Sequence, residues 1–146
     1  MELPYVLQGT VERGKQLGSS IGFPTANIAL SSVSEPLPPN GVYAGLAQVE
    51  GEERPYPCIL NQGSHPTAPE GHPTVEAHLI GYPYAVLYGK TITLCYGHFL
   101  RPEQHFDTID ELKERIEQDR RAAILWLEPN GSGLLRALEY GKELPL

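Results

Sequence analysis

Glu76 and His78 stand two residues apart in PTVEAHLIGY, residues 73–82, where apolar and polar side chains alternate. In an extended strand, residues two apart lie on the same face. A carboxylate within hydrogen-bond reach of a reacting hydroxyl can accept its proton, so Glu76 is a candidate general base and His78 a supporting neighbour. By composition alone, an ordinary exposed glutamate is the more common explanation.

Thr25 and Asn27 offer a second pair of polar groups, in the run PTAN that begins at Pro24. A hydroxyl and an amide oxygen are hard ligands of the kind that Mg²⁺ binds, and two residues apart in extended chain they point the same way. Asn and Thr are also common turn formers, and the residues by themselves favour that simpler explanation.

The glycine-rich segment 9–22 comes just before this pair. It begins G-x-x-x-x-G-K, as a phosphate-binding P-loop does, but Gln16 stands where that motif has Ser or Thr, and the following glycines and proline cannot form its helix. The segment is therefore not a Walker loop. Gly14, Gly18 and Gly22 either make turns or build a loop whose N–H groups approach an anion.

Composition and charge exclude several classes of protein. A chain of 146 residues with 40% hydrophobic and 20% charged residues is typical of one soluble domain. The net charge of −7 argues against a nucleic-acid partner. No apolar run approaches the ~20 residues of a membrane span, and the N-terminus has no signal-peptide pattern, so we expect a cytoplasmic protein.

Cysteine and histidine do not indicate a zinc or disulfide site. Cys58 and Cys95 lie in apolar, strand-like surroundings and are expected to be buried, reduced thiols. None of the five histidines pairs with a Cys at zinc-finger spacing, and HPTVEAH is not the H-E-x-x-H motif of metalloproteases.

The elements that must position these residues are mostly strands. Short runs rich in Val, Ile, Leu, Tyr and Thr, separated by Pro and Gly, predict strands near residues 5–13, 42–50, 55–62, 73–82 and 90–100. The run VEGEERPY predicts a hairpin tip in which Gly51 takes a positive φ. Five strands with no helix between them favour an antiparallel barrel or sandwich.

A helix is predicted over about residues 108–127. Thr108 and Glu111 form a capping box, and Pro129 and Gly131 predict its end. The residues after it are expected to form a tail or a short helix over 128–146. One apolar face is predicted to pack on the barrel, formed by Ile109, Leu112, Ile116 and Ala123.

Five motifs in order along about residues 5–125 resemble one enzyme family. The pattern G-x-V-x-x-G-x-x-L-G-x-x-x-G-F-P-T-A-N-I is followed by GVYAG, NQGSHPT, VEAHLI and LYG…LRPEQHFDTIDELKERIEQD. Together they resemble riboflavin kinase (flavokinase). Several motifs in a fixed order are more specific than any one of them.

This resemblance implies a fold and a reaction. The fold is a six-stranded antiparallel Greek-key β-barrel with a C-terminal α-helix, formed by one domain over 1–146. The reaction transfers the γ-phosphate of ATP to the 5′-hydroxyl of riboflavin, giving FMN and ADP, with Mg²⁺ as cofactor. In bacteria such a domain often follows an FAD synthetase half, which nothing in this sequence resembles. A stand-alone or excised kinase domain is expected, monomeric in isolation.

The resemblance also implies site residues. Glu76 is then the catalytic residue, Thr25 and Asn27 bind Mg²⁺ and the ATP phosphates, and the flavin is bound by Arg101, near its phosphate, and by Phe106. The glycines of an ATP-binding flap are Gly14, Gly18 and Gly22. The alternatives are that Arg101 is a surface residue at a strand end and that Phe106 belongs to the core.

Two further expectations concern the flap. Many family members have Arg or Lys where this chain has Ser19 or Ser20, which puts the affinity for ATP in question. A loop over 14–22 with so few large apolar residues is expected to order only with ATP and flavin bound. The competing hypotheses for the whole chain are a catalytically idle flavin- or nucleotide-binding barrel and a plain interaction module.

Overall fold

Six strands and one helix make up the computed structural model, which describes residues 3–12, 25–29, 37–64, 73–83 and 87–143. The single helix of these residues is α1, Ile109–Glu143. The strands are β1 (Tyr5–Thr10), β2 (Thr25–Ala29), β3 (Gly41–Val49), β4 (Tyr56–Ser64), β5 (Pro73–Leu79) and β6 (Thr91–Arg101).

All six strands pair antiparallel in one sheet, in the order β1-β6-β3-β4-β5-β2. Strands β3, β4 and β5 follow one another, and β6 returns beside β3, which is the Greek-key order. The sheet curls into a half-barrel, and a bridge between Glu12 and Asn27 links the chain after β1 to the opposite edge strand β2. The predicted mainly-β fold with a C-terminal helix is confirmed.

Strand β2 is the element that the alternation pattern did not predict. Thr25 and Asn27 are in extended backbone paired along β5, so a turn over these residues is wrong. Ala26 and Ile28, which alternate with them, are buried in the core. With only five residues, the strand has too few positions for its alternation to stand out.

The alternation predicted in β5 is confirmed. Val75, Ala77 and Leu79 are fully buried in the core enclosed by the curled sheet, and Glu76 lies on the opposite face. The predicted hairpin tip between β3 and β4 is also present, because Gly51 has φ +83°.

The predicted capping box is present at the start of α1. The Glu111 N–H donates to Thr108 Oγ1 at 3.1 Å, and the Glu111 carboxylate accepts from the backbone N–H of Asp107 at 3.3 Å. Leu112 and Ile116 pack against the sheet as expected. Ile109 is 51% exposed, so its place on the apolar face is wrong, because it lies in the first turn, before the helix reaches the sheet.

The predicted end of the helix at Pro129 is wrong, since α1 continues to Glu143 without a second helix. Proline removes one helical hydrogen bond, but Leu134 and Leu138 beyond it are almost completely buried against the sheet. The Asn130 side chain also donates to the Trp126 carbonyl at 2.8 Å. Burial of the distal turns outweighs the local signal to stop.

Two apolar layers result. One is enclosed by the curled sheet, and the other lies between the sheet and α1, where Val42, Ala44 and Ile59 meet Ile116 and Ala123. Within the described residues, no helix is long and apolar enough to cross a membrane.

Candidate active site

One row of side chains crosses five neighbouring strands on the outer face of the curled sheet, which α1 covers over β1, β3, β4 and β6. Asn27 of β2 pairs with Glu76 of β5, Glu76 with Asn61 of β4, Asn61 with Val42 of β3, and Val42 with Arg101 of β6. Directly opposite residues on antiparallel strands share a face. The register therefore places three residues that the sequence predicted for the site in one row.

Glu76 is in contact with His78, as their spacing predicted. His78 Nε2 lies 2.9 Å from Glu76 Oε1, and the two side chains are 5% and 28% exposed. The buried imidazole is fixed by its surroundings, so it can hold the carboxylate in one orientation. Glu76 keeps enough exposure to reach a ligand on this face.

Asn27 is held on both sides by backbone pairing. Its strand pairs along β5, and its carbonyl accepts a hydrogen bond from the Glu12 N–H at 2.7 Å. Thr25, two residues earlier on β2, has its backbone opposite that of His78. The half-buried Asn27 thus lies where the two edges of the curled sheet meet.

The donors at this edge suit magnesium. No group of three or more His, Cys, Asp or Glu side chains that could hold a metal occurs in the part of the chain that the structure describes. Mg²⁺ is commonly bound by one or two protein oxygens together with waters and substrate phosphates. The amide oxygen of Asn27 fits that need beside the Glu76 carboxylate, whereas a site built from imidazoles and thiols would not.

Gly14, Gly18 and Gly22 lie outside the described residues, as do Ser19 and Ser20. Their predicted role in an ATP-binding flap stays a prediction, and so does the flap's ordering on ligand binding. The flap would join Glu12 to Thr25, next to the site of the polar row.

Arg101 is buried rather than on the surface, so its alternative role as a surface residue is wrong. Its Nε and Nη2 donate to the two carboxylate oxygens of Asp119 on α1 at 2.9 and 2.7 Å. Its Nη1 donates to the Pro102 carbonyl at 3.1 Å. The guanidinium centre lies 5.9 Å from the centroid of the half-buried Phe106 ring. Contact of either residue with a flavin stays a prediction.

The strand next to Glu76 is anchored from the other side of the sheet. Tyr96 Oη donates to Gln62 Oε1 at 2.8 Å, and Gln62 Nε2 donates to the Pro38 carbonyl at 2.8 Å. Burial raises the pKa of the Tyr96 hydroxyl, so it stays a donor. This network fixes the backbone that carries Asn61 and Gly63.

Three further residues of this face were not singled out from the sequence. Asn61 is opposite Glu76, Asp119 holds Arg101, and the Glu103 carboxylate sits against Gly63, where a Cβ would displace it. The motifs contain Asn61, Gly63 and Glu103, but only the strand register and the path of the chain after β6 bring them together.

Comparisons with known proteins agree on one family. A family model described as riboflavin kinase (Flavokinase) matches residues 1–127. The bifunctional riboflavin kinase/FMN adenylyltransferase of Bacillus subtilis (strain 168) is 40% identical over 124 residues, which cover 83% of this chain. The corresponding protein of Escherichia coli (strain K12) is 38% identical over 121 residues, 82% of this chain. The chain spans 38% and 37% of these two relatives.

A solved structure extends the similarity over nearly the whole chain. The crystal structure of riboflavin kinase from Trypanosoma brucei superposes with a TM-score of 0.71 at 30% identity. The match covers 98% of this chain and 91% of that protein.

Proposed function

Because the chain belongs to the riboflavin kinase (flavokinase) family, we propose that it transfers the γ-phosphate of ATP to the 5′-hydroxyl of riboflavin. The products are FMN and ADP. The bifunctional relatives are much longer than this chain, and only their kinase activity is proposed for it.

The observation that carries the proposal is the direct pairing of Glu76 with Asn27. Phosphoryl transfer needs a group that takes the proton of the attacking hydroxyl and groups that align and neutralise the phosphates. The Glu76 carboxylate can take the proton, and the Asn27 amide oxygen, opposite it on the neighbouring strand, can serve the phosphate side. The two functions therefore meet at one place on the sheet. Cβ atoms of directly opposite residues are only about 4.5–5.5 Å apart.

Glu76 acts as general base in this mechanism. The 5′-oxygen of riboflavin forms a bond to the γ-phosphorus, the bond from that phosphorus to the bridging oxygen of ADP breaks, and the hydroxyl proton passes to the Glu76 carboxylate. His78, at 2.9 Å, orients that carboxylate toward the hydroxyl. It is a positioning residue and does not touch the reacting atoms.

Thr25 and Asn27 would hold Mg²⁺ and the ATP phosphates. The ion, when bound, neutralises charge on the phosphates and helps align them. Asn27 supplies an amide oxygen from a strand that pairs along β5 on one edge and is bridged at Asn27 itself to Glu12 on the other, so its position changes little on binding. Gly14, Gly18 and Gly22 would close over the phosphates with their backbone N–H groups.

The flavin would extend from Glu76 past the exposed Asn61 toward Arg101 and Phe106, around Val42, which is buried against α1. We also propose that residues 1–146 work as one domain, monomeric in isolation, in the cytoplasm and without a nucleic-acid partner. The net charge of the chain, −7, supports the absence of a nucleic-acid partner.

The direct test is incubation with riboflavin, ATP and Mg²⁺, followed by chromatographic separation of FMN from riboflavin. FMN and ADP should form in equal amounts, and no FMN should form without ATP or Mg²⁺. Binding of riboflavin or ATP without any FMN would instead support the catalytically idle flavin- or nucleotide-binding barrel.

A further inference from the structure

The Arg101–Asp119 pair is the most buried ion pair among the described residues, with side chains 10% and 5% exposed. It joins the end of β6 to α1, about three turns after the start of that helix. The two parallel hydrogen bonds fix the guanidinium plane as well as its position. Arg115 Nε also approaches Asp119 Oδ1, but at 3.7 Å it is beyond hydrogen-bond distance, so Arg101 is the residue that Asp119 holds by hydrogen bonds.

The hydrogen-bond count of Arg101 leaves donors for a ligand. A guanidinium has five N–H groups. Asp119 engages one on Nε and one on Nη2, and the Pro102 carbonyl engages one on Nη1. One N–H on Nη1 and one on Nη2 remain. The plane that carries them lies near the ring of Phe106.

Charge and distance both argue against a phosphate at this position. Asp119 offsets the charge of Arg101 through a direct bidentate contact, so the pair attracts an anion less than a free arginine does. Three strand spacings separate Arg101 from Glu76 in the row, or roughly 14 Å between Cα atoms. The transferred phosphate must lie beside Glu76, whereas the ring system of riboflavin is uncharged and extends away from the reacting hydroxyl.

We propose that Asp119 is a positioning residue for the flavin: it holds Arg101 beside Phe106 as a charge-balanced hydrogen-bond donor for the uncharged ring end of riboflavin. This inference rests on the proposed kinase function. Arg101 would then contact the ring system, which riboflavin and FMN share, and not the phosphate, which only FMN carries.

The test compares Asp119→Asn with the wild type. Steady-state kinetics with each substrate varied should show a KM for riboflavin raised roughly tenfold, the size expected for a misplaced pair of hydrogen bonds. The kcat and the KM for ATP should change less than about twofold. Direct binding, followed by flavin fluorescence, should weaken by the same factor for riboflavin and for FMN.

A second variant tests the proposal if Asp119→Asn does not fold. Removing one partner of a buried ion pair is costly, but replacing both by apolar residues is often tolerated. The double variant Arg101→Met/Asp119→Leu should fold and still lose affinity for both flavins equally. A pair that only joins helix to sheet would leave the double variant with wild-type flavin binding, and that result would overturn the proposal.

Glu117→Gln is the matched control, since it removes one carboxylate from the same helix two residues away, where it pairs with Arg120 and Arg121. It should bind both flavins as the wild type does. Weakened FMN with unchanged riboflavin in the Asp119 variant would make Arg101 a phosphate contact and contradict the proposal. A wild type that binds flavins but makes no FMN would refute the kinase function, while the binding comparison would still decide the role of Asp119.

Discussion

Asn27 and Glu76 are cross-strand partners, opposite each other on β2 and β5. The Glu12 N–H bonds the Asn27 carbonyl from the other edge of the sheet. The relative position of the amide and the carboxylate is thus set by strand hydrogen bonds and not by a loop. Such placement on rigid elements suits a reaction that depends on alignment.

Asn27→Ala and Thr25→Ala should weaken Mg²⁺–ATP more than riboflavin, because these residues serve the phosphate side of the site. We expect a raised KM for ATP and a raised Mg²⁺ requirement, with riboflavin affinity nearly unchanged, measured by steady-state kinetics and flavin fluorescence. Gln8→Ala, an amide on β1 that donates to Thr93, is the control and should behave as the wild type. A change confined to riboflavin would contradict the metal assignment.

Gly45→Ala should destabilise the fold far more than Gly63→Ala. A Cβ at Gly45 would overlap the backbone carbonyl of Cys95, which cannot move without shifting β6. A Cβ at Gly63 would meet the carboxylate of Glu103, the end of an exposed, flexible side chain. Urea unfolding should show a loss of about 2–3 kcal/mol or more for the first and under about 1 kcal/mol for the second. Equal losses would show that Glu103 cannot move aside.

Gly133→Ala should stabilise the protein by about 0.5–1 kcal/mol, because alanine is the better helix former and nothing lies within 4 Å of the new Cβ. Gly51→Ala meets equally open space, but its φ of +83° is unfavourable for alanine. Thermal unfolding should therefore show a rise for the first and a fall for the second. A fall for Gly133→Ala would mean that α1 is not continuous past Pro129.

Cys58 and Cys95 should resist alkylation in the folded protein. Burial raises the pKa of both thiols, that of Cys95 to about 12 from an ordinary value of 9.0. A raised pKa means that the thiols keep their protons to a higher pH in the folded state than in the unfolded state. The free energy of unfolding should therefore fall as pH rises from about 9 toward 12. Iodoacetamide at pH 8 should label neither thiol until urea unfolds the chain. Rapid labelling of the native protein would contradict their burial.

Part of this architecture could be predicted from the sequence. Long alternating segments predicted five strands, and Thr108 with Glu111 predicted the start of the helix. Strand β2 has too few residues to show its period, and the resemblance to the family implied a sixth strand without placing it. The end of α1 could not be predicted, because the burial of Leu134 and Leu138 that overrides Pro129 depends on the sheet they pack against.

The site was predictable in its residues but not in its arrangement. Glu76, Thr25 and Asn27 came from their chemistry together with the family resemblance. Their register depends on how the strands pair, and no local pattern encodes a partner about 50 residues away in the chain. The Arg101–Asp119 pair joins a strand to a helix across 18 residues and leaves no sequence signal of its own.

The most direct measurement of the central claim is the turnover of Glu76→Gln with riboflavin, ATP and Mg²⁺. The amide keeps the size of the side chain but cannot take the hydroxyl proton. FMN formation should fall by ~10²–10⁴-fold while riboflavin affinity stays nearly constant. Glu50→Gln, which keeps an acceptor for the Thr91 N–H elsewhere on the sheet, should have normal turnover. Near-normal FMN formation by Glu76→Gln would show that this carboxylate is not the base.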